Sequence, residues 1–280
     1  MNIFEKKSAK FLITGASGMV GSALEKELSS CSNIILLTPN HNELDLRDNQ
    51  AVDKYFEKHY PDYVFMLAAK VGGIKANKCD PVGFLTDNAK IVLNLFEVCH
   101  KYRIKKSLFL GSSCIYPKEC AQPMKEEYLM TGALESTNEG YAIAKIMGLK
   151  LAKYYYEQYG MITVCPMPCN IYGTNDNYDL ETSHVLSALV KRFVDAKDEG
   201  KTSITLWGTG KAKREFIHVD DVARALIFLM SNILTPDIIN LGSGIDISIK
   251  GLAHLIAERV GYEDSIKWDI TKPDGMPRKC

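Results

Sequence analysis

Short apolar runs and stretches with helical spacing alternate along the first part of the chain. Residues 10–14 form an apolar run that stops at a glycine-rich turn, and Met19, Val20, Ala23, Leu24 and Leu28 then recur close to the helical period. The pattern predicts strands at 33–37, 62–68, 107–111 and 162–166, separated by helices at 49–59, 82–100 and 141–159. Short strands of this buried type, with helices between them, imply parallel pairing and right-handed crossovers. Beyond Gly173 the pattern breaks into a polar loop at 175–179, helices at 184–197, 219–230 and 249–260, and strands at 204–207 and 238–241. The expected fold class is α/β: a Rossmann-type doubly wound parallel sheet with a smaller C-terminal substrate-binding lobe. Residues 1–173 are assigned to the dinucleotide-binding domain, and 174–280 mainly to the lobe, with some chain returning to the first domain.

Charge changes the picture by exclusion. Lys plus Arg and Asp plus Glu each number 34, so the formal net charge is zero, which argues against a nucleic-acid backbone as partner. The eight cysteines form no C-x-x-C pair and no zinc-type spacing, so no metal is expected. No apolar run approaches membrane-spanning length and the N-terminal run is too short for a secretory signal, so no membrane association is expected. Free thiols in a reducing cytoplasm are the simplest account.

The first candidate chemistry is Gly15-Ala16-Ser17-Gly18-Met19-Val20-Gly21, between the first strand and the first helix. Glycines at these spacings allow a tight turn, a close approach to a pyrophosphate at the helix N-terminus, and close helix–strand packing. After the second strand, Leu37 to Glu43 presents no acid at the strand end for a ribose 2′-hydroxyl and no arginine for a 2′-phosphate. His41 and Asn40 are the remaining candidates there, and a solvated loop histidine is the alternative reading. NADPH is the expected cofactor, with NADH left open.

Tyr141 and Lys145 are four apart on one helix, where an ammonium lowers a tyrosine pKa and suits the phenol to donate a proton to a carbonyl under reduction. Ser112 follows the fourth strand, where its hydroxyl can bond the same carbonyl. With the glycine loop, these residues point to an oxidoreductase.

Longer stretches carry a resemblance. They include Gly111-Ser112-Ser113-Cys114-Ile115-Tyr116-Pro117-Lys118, Ser183-His184-Val185, Leu206-Trp207-Gly208-Thr209-Gly210, Arg214-Glu215-Phe216 and His218-Val219-Asp220-Asp221. On these the chain resembles the extended short-chain dehydrogenase/reductase superfamily, and within it the epimerase/reductases of GDP-4-keto-6-deoxy-mannose. The resemblance implies NADPH-dependent 3,5-epimerisation and 4-reduction to GDP-L-fucose. It casts Ser112 and Tyr141 as binders of the C4 carbonyl, Lys145 as holder of the nicotinamide ribose, and Cys114 and His184 as the epimerisation base and acid. For the GDP-sugar it points to Arg192, Trp207 and Arg214, with Lys191 beside them, and it implies a homodimer built on the helices at 82–100 and 141–159.

Each of these residues has a plainer reading. Cys114 is also a small buried hydrophobe, His184 a helix cap, and His218 with Asp220 and Asp221 a helix start rather than a metal site. Other functional readings are a C4-reductase alone, an enzyme for a related GDP-4-keto-6-deoxy sugar such as a heptose, and a non-catalytic dinucleotide-binding scaffold. Three departures from the family pattern stand out: the missing 2′-phosphate arginine, Ser187 in place of a usual proline, and a chain that ends at Cys280 where members usually continue into a final helix of the lobe.

Overall fold

The computed structural model describes residues 3–5, 8–180, 182–272 and 276–280. The first part runs β1 (Ala9–Thr14), α1 (Met19–Ser29), β2 (Ile34–Leu37), α2 (Asn49–His59), β3 (Tyr63–Met66), α3 (Ile74–Cys79), α4 (Pro81–Lys101), β4 (Lys106–Phe109), α5 (Glu139–Tyr159) and β5 (Thr163–Pro168). The rest runs β6 (Asn170–Tyr172), α6 (Val185–Asp198), β7 (Ser203–Trp207), β8 (Lys213–His218), α7 (Val219–Asn232), β9 (Ile238–Leu241), β10 (Asp246–Ser248), α8 (Ile249–Val260), β11 (Ser265–Asp269) and β12 (Arg278–Lys279).

Six strands make one parallel sheet in the order β2-β1-β3-β4-β5-β9. Strand alternation sends Phe11, Ile13, Phe65 and Leu108 to one face, under α1 and α7, and Leu12, Val64, Met66 and Phe109 to the other, under α2, α4 and α5. Both faces are covered, which is why these strands read as continuous apolar runs. The chain leaves β1 toward β2 on one side and later returns to β3 on the other. This reversal opens a crevice at the C-terminal ends of β1 and β3, where ligands bind in such sheets. After Gly173, α7 and β9 rejoin the large sheet, whereas α6 and α8 share a separate core around Phe193, Leu206 and Ile256.

The predicted helices and all seven predicted strands lie within a few residues of their expected bounds. Six elements were not legible: α3, β6, β8, β10, β11 and β12. β8 reads Lys-Arg-Glu-Phe-Ile-His, its one buried residue is the charged Glu215, and it is held by ladders to β6, β10 and β12 rather than by an apolar pattern. β12 has two residues, too few to show any period. Residues 273–275 of the terminal segment lie outside the described residues. Among the described residues no helix is long and apolar enough to cross a membrane.

Phe96 on α4 is fully buried and its ring lies 5.9 Å from those of both Phe109 on β4 and Tyr155 on α5. Phe96→Ala should lower the stability by about 3–5 kcal/mol. Phe228→Ala, at a site 62% exposed, should change it by less than about 0.5 kcal/mol. Guanidinium unfolding midpoints check the contrast, and equal losses would contradict the assignment of the core.

Candidate active site

The glycine loop is shaped by contacts that exclude side chains. Gly15 has φ +74°, and a Cβ there would lie 2.9 Å from Ala68 Cα, so the turn after β1 presses on the loop after β3. A Cβ on Gly21 would lie 2.1 Å from the Gly15 carbonyl oxygen, which lets α1 start directly on the turn. Gly18 caps α1 without a side-chain bond, so the first-turn N–H groups of Met19, Val20 and Gly21 are left for a ligand. The adjoining cavity, about 320 Å³, is lined by Gly15, Ser17, His41, Arg47, Ala68 and Lys70, among others. These residues fit a dinucleotide: a glycine cradle for the pyrophosphate continues into a pocket for the nucleoside.

His41 stands in the cavity wall. Arg47 and Lys70 were missed. Arg47 forks onto Asp45 at 2.9 and 2.8 Å and lies 3.8 Å from Asp87 on α4. Its hydrogen bond to Asp45 holds that carboxyl down at about 2. The arginine sought at the end of β2 is absent, but the pocket still has a guanidinium, carried by a loop with no periodicity to reveal it.

At the end of β4 the chain enters the turn Ser113–Ile115, capped by Ser112, whose Oγ accepts the Cys114 N–H at 3.4 Å. Facing it, α5 presents Tyr141 and, one turn on, Lys145. The Lys145 Nζ is buried, donates to the Leu110 carbonyl at 2.6 Å and lies 5.7 Å from the Tyr141 ring centre. Burial pushes Lys145 down to about 8, and the neighbouring Cys114 opposes the shift. Tyr141 moves the other way from the sequence expectation. Burial, helped by Cys114, raises it above the ordinary tyrosine range, and a hydrogen bond with Ser112 only partly offsets this. The ammonium is committed to the Leu110 carbonyl, so desolvation wins. Tyr141 is thus a neutral phenol, the form that can give a proton.

His184 caps α6 through its backbone, while its side chain makes no capping bond. Its ring is exposed on one side yet deep enough among protein atoms for burial to lower its pKa; Asp176 works against that shift and Lys279 with it. Lys279, on β12, was not anticipated. Burial lowers its pKa, Cys114 opposes this and Arg214 reinforces it. Lys279 therefore relates His184, Cys114 and Arg214 electrostatically.

The remaining sugar-site candidates stand farther out. Arg214 donates to the carbonyls of Lys213 and Met276, both at 2.7 Å, fixing the terminal segment beside β8. Lys191 pairs with Asp195 on its own helix at 2.5 Å, and Arg192 reaches the Thr205 carbonyl at 3.4 Å. Trp207 is 62% exposed at the end of β7, with Lys272 Nζ 5.7 Å from its ring centre. Among the described residues no hydrogen bond or ion pair joins Lys191, Arg192 or Arg214 to Ser112 or Tyr141. His218 caps α7, its Nδ1 accepting the Asp220 N–H at 3.2 Å. Among the described residues no group of three or more His, Cys, Asp or Glu is arranged to hold a metal.

The profile of the NAD dependent epimerase/dehydratase family matches residues 11–242. GDP-L-fucose synthase 1 of Arabidopsis thaliana is 46% identical over 98% of this chain and 84% of its own length. A GDP-6-OMe-4-keto-L-xylo-heptose reductase from C. jejuni superposes with a TM-score of 0.91 at 32% identity, over 97% of this chain and 89% of that one. A GDP-L-fucose synthetase from Naegleria fowleri bound to NADP gives 0.90 at 29% identity, over 98% and 85%.

The depressed lysine has a thermodynamic signature. Folded Lys145 loses its proton near pH 8 and the unfolded residue near 10.5. The unfolded chain therefore binds more protons between those values, and stability rises with pH across that window. Lys145→Met should lack this contribution, although Lys106, also pushed down to about 8 by burial, keeps its own. Melting temperatures from pH 7 to 9.5 should show wild type gaining on the variant, and parallel curves would contradict the buried ammonium.

Proposed function

The chain belongs to the NAD dependent epimerase/dehydratase family, and from that premise we propose that it is an NADPH-dependent enzyme converting GDP-4-keto-6-deoxy-D-mannose to GDP-L-fucose by 3,5-epimerisation and 4-reduction. The observation that carries this reading is the meeting of Ser112, Cys114, Tyr141 and Lys145 at the end of β4, with His184 related to Cys114 through Lys279. A relative named as a GDP-L-fucose synthase is 46% identical over nearly the whole chain, and NADP occupies the Naegleria protein.

The chemistry follows from what each group can do. Ser112 and Tyr141 bind the C4 carbonyl oxygen, which acidifies the protons at C3 and C5. Cys114 takes such a proton, Ser112 and Tyr141 stabilise the enolate, and His184 returns a proton on the opposite face. NADPH, when bound, supplies the hydride for C4. Tyr141 then gives its phenolic proton to the C4 oxygen, while Lys145 holds the nicotinamide ribose. Gly15, Ser17, Gly18, Met19, Val20 and Gly21 cradle the pyrophosphate, with His41 toward the adenosine end. Arg192, Trp207 and Arg214, with Lys191, take the GDP moiety: guanidinium forks suit phosphates and an exposed indole suits a base.

Residues 1–173 chiefly hold the cofactor and 174–280 chiefly the nucleotide sugar, in a cytoplasmic protein with reduced thiols. Apolar side chains left exposed on α4 and α5, Val82 (70%), Leu93 (40%) and Ile143 (43%), suit a homodimer paired through these helices. The C. jejuni reductase supports a second reading, a C4-reductase or an enzyme for a GDP-heptose. One methylene-sized group in a pocket changes discrimination by only about 1–3 kcal/mol, so a related sugar is within reach of the same scaffold.

Variants separate the two half-reactions. Tyr141→Phe should lose NADPH oxidation by at least about 100-fold while retaining a slower solvent exchange at C3 and C5, with Ser112 left as the enolate's donor. Cys114→Ser should lose exchange. NMR of GDP-4-keto-6-deoxy-mannose in D₂O, alongside NADPH absorbance, reads both. Reduction of the sugar with no exchange in the wild type would favour the C4-reductase reading, and faster turnover of the heptose would favour that substrate.

A further inference from the structure

Asn240 interrupts the apolar strand β9, between Ile239 and Leu241, and asparagine is disfavoured in strands. Its side chain serves two groups of one loop. Oδ1 accepts the Tyr116 hydroxyl at 2.6 Å, and Nδ2 donates to the Met124 carbonyl at 2.9 Å. Tyr116 is 2% exposed, so its hydroxyl needs a partner inside the protein. Met124 is fixed from its other side as well, where its N–H donates to the Cys280 carbonyl at 2.8 Å.

Tyr116 follows the turn Ser113–Ile115 and stands two residues after Cys114. Before the turn, the Leu110 carbonyl accepts Lys145 Nζ at 2.6 Å and the Gly111 N–H donates to the Pro166 carbonyl at 2.9 Å. Cys114 is therefore carried between two anchors, one made by α5 and β5 and the other by β9. A cavity of about 180 Å³ lies alongside, lined by Ser113, Met124, Asn240 and Cys280 among others, so packing alone does not hold this side of the turn.

We propose that Asn240 is a positioning residue for Cys114: by joining the Tyr116 hydroxyl to the Met124 carbonyl, it fixes where the thiol meets the sugar. The proposal rests on the epimerase reading of Cys114. Asn240 acts through Tyr116 and not on the reacting atoms. Its backbone N–H donates to Glu126 Oε1 at 2.8 Å, and it pairs with Met167 on β5. A substitution therefore removes the two side-chain bonds and leaves β9 in its ladder.

Two measurements on the full-length protein test this. The first is the rate of iodoacetamide alkylation at each cysteine, mapped by mass spectrometry. Cys114 is 8% exposed, and Asn240→Leu, which releases the turn, should raise its rate by about three- to tenfold. Cys99 and Cys165, both 0% exposed, should keep their wild-type rates. An unchanged or slower rate at Cys114 overturns the proposal. So does a matching rise at Cys99 and Cys165, because Asn240 would then be merely structural.

The second is C3/C5 deuterium exchange. In Asn240→Leu its kcat should fall by at least about tenfold, with KM within about twofold and the Kd for NADPH unchanged. A loss confined to KM, or one matched by lost NADPH affinity, overturns the proposal. Tyr116→Phe should also slow exchange, and the double variant should be no slower than the slower single one. Additive losses would take Tyr116 off the route and overturn the proposal. Tyr116→Phe lacks a single oxygen and carries both measurements should Asn240→Leu fail to fold. Absence of exchange in the wild type would overturn the epimerase reading and the role proposed for Cys114, and alkylation would still report separately whether Asn240 holds the thiol in place.

Discussion

The hydrogen bond from Lys145 Nζ to the Leu110 carbonyl, 2.6 Å long and buried, is the contact on which the site depends. It joins α5 to the segment leaving β4, so that Tyr141 on the helix and Ser112 with Cys114 on the loop face one another. Burying an ammonium has a cost, seen in the depressed pKa of Lys145. The Phe109 ring, 4.8 Å from Nζ, offsets some of it with a cation–π contact. The same dry surroundings keep Tyr141 protonated. One desolvated pocket therefore fixes the geometry of the groups proposed to bind the carbonyl and the protonation state of the proposed donor.

The small sheets complete what the large sheet begins. The loop that follows β6 and leads into α6 presents His184, and β12, held in register on β8, delivers Lys279. The parallel sheet supplies a rigid floor and a cofactor crevice, as its topology requires. The lobe supplies groups that can act from another side of a substrate. In the proposed mechanism, division of labour of this kind lets one carbonyl-binding pair serve both proton exchange and reduction.

Much of this was legible in the sequence where a physical constraint acts locally. Gly15, Gly18 and Gly21 are spaced by the needs of a strand–turn–helix junction, and each close approach is seen in the structure. Tyr141 and Lys145 are neighbours on a helix whose period was visible. What was not legible depends on distant partners. Lys279 belongs to a two-residue strand, and Arg47 sits in an aperiodic loop whose role appears only when Asp87 is brought alongside. The direction of the Tyr141 shift failed for the same reason. Helical spacing reveals a nearby lysine, but neither the depth of burial nor the carbonyl that claims the lysine.

The central claim is that Cys114 and His184 address opposite faces of one sugar ring whose C4 oxygen is held by Ser112 and Tyr141. A crystal structure of the Tyr141→Phe variant with NADP⁺ and GDP-4-keto-6-deoxy-mannose tests it most directly. The account predicts the Cys114 sulfur on one face of the ring and the His184 imidazole on the other, with the C4 oxygen within about 2.6–3.2 Å of Ser112 Oγ. Both groups on the same face, or a C4 oxygen away from Ser112, would contradict it.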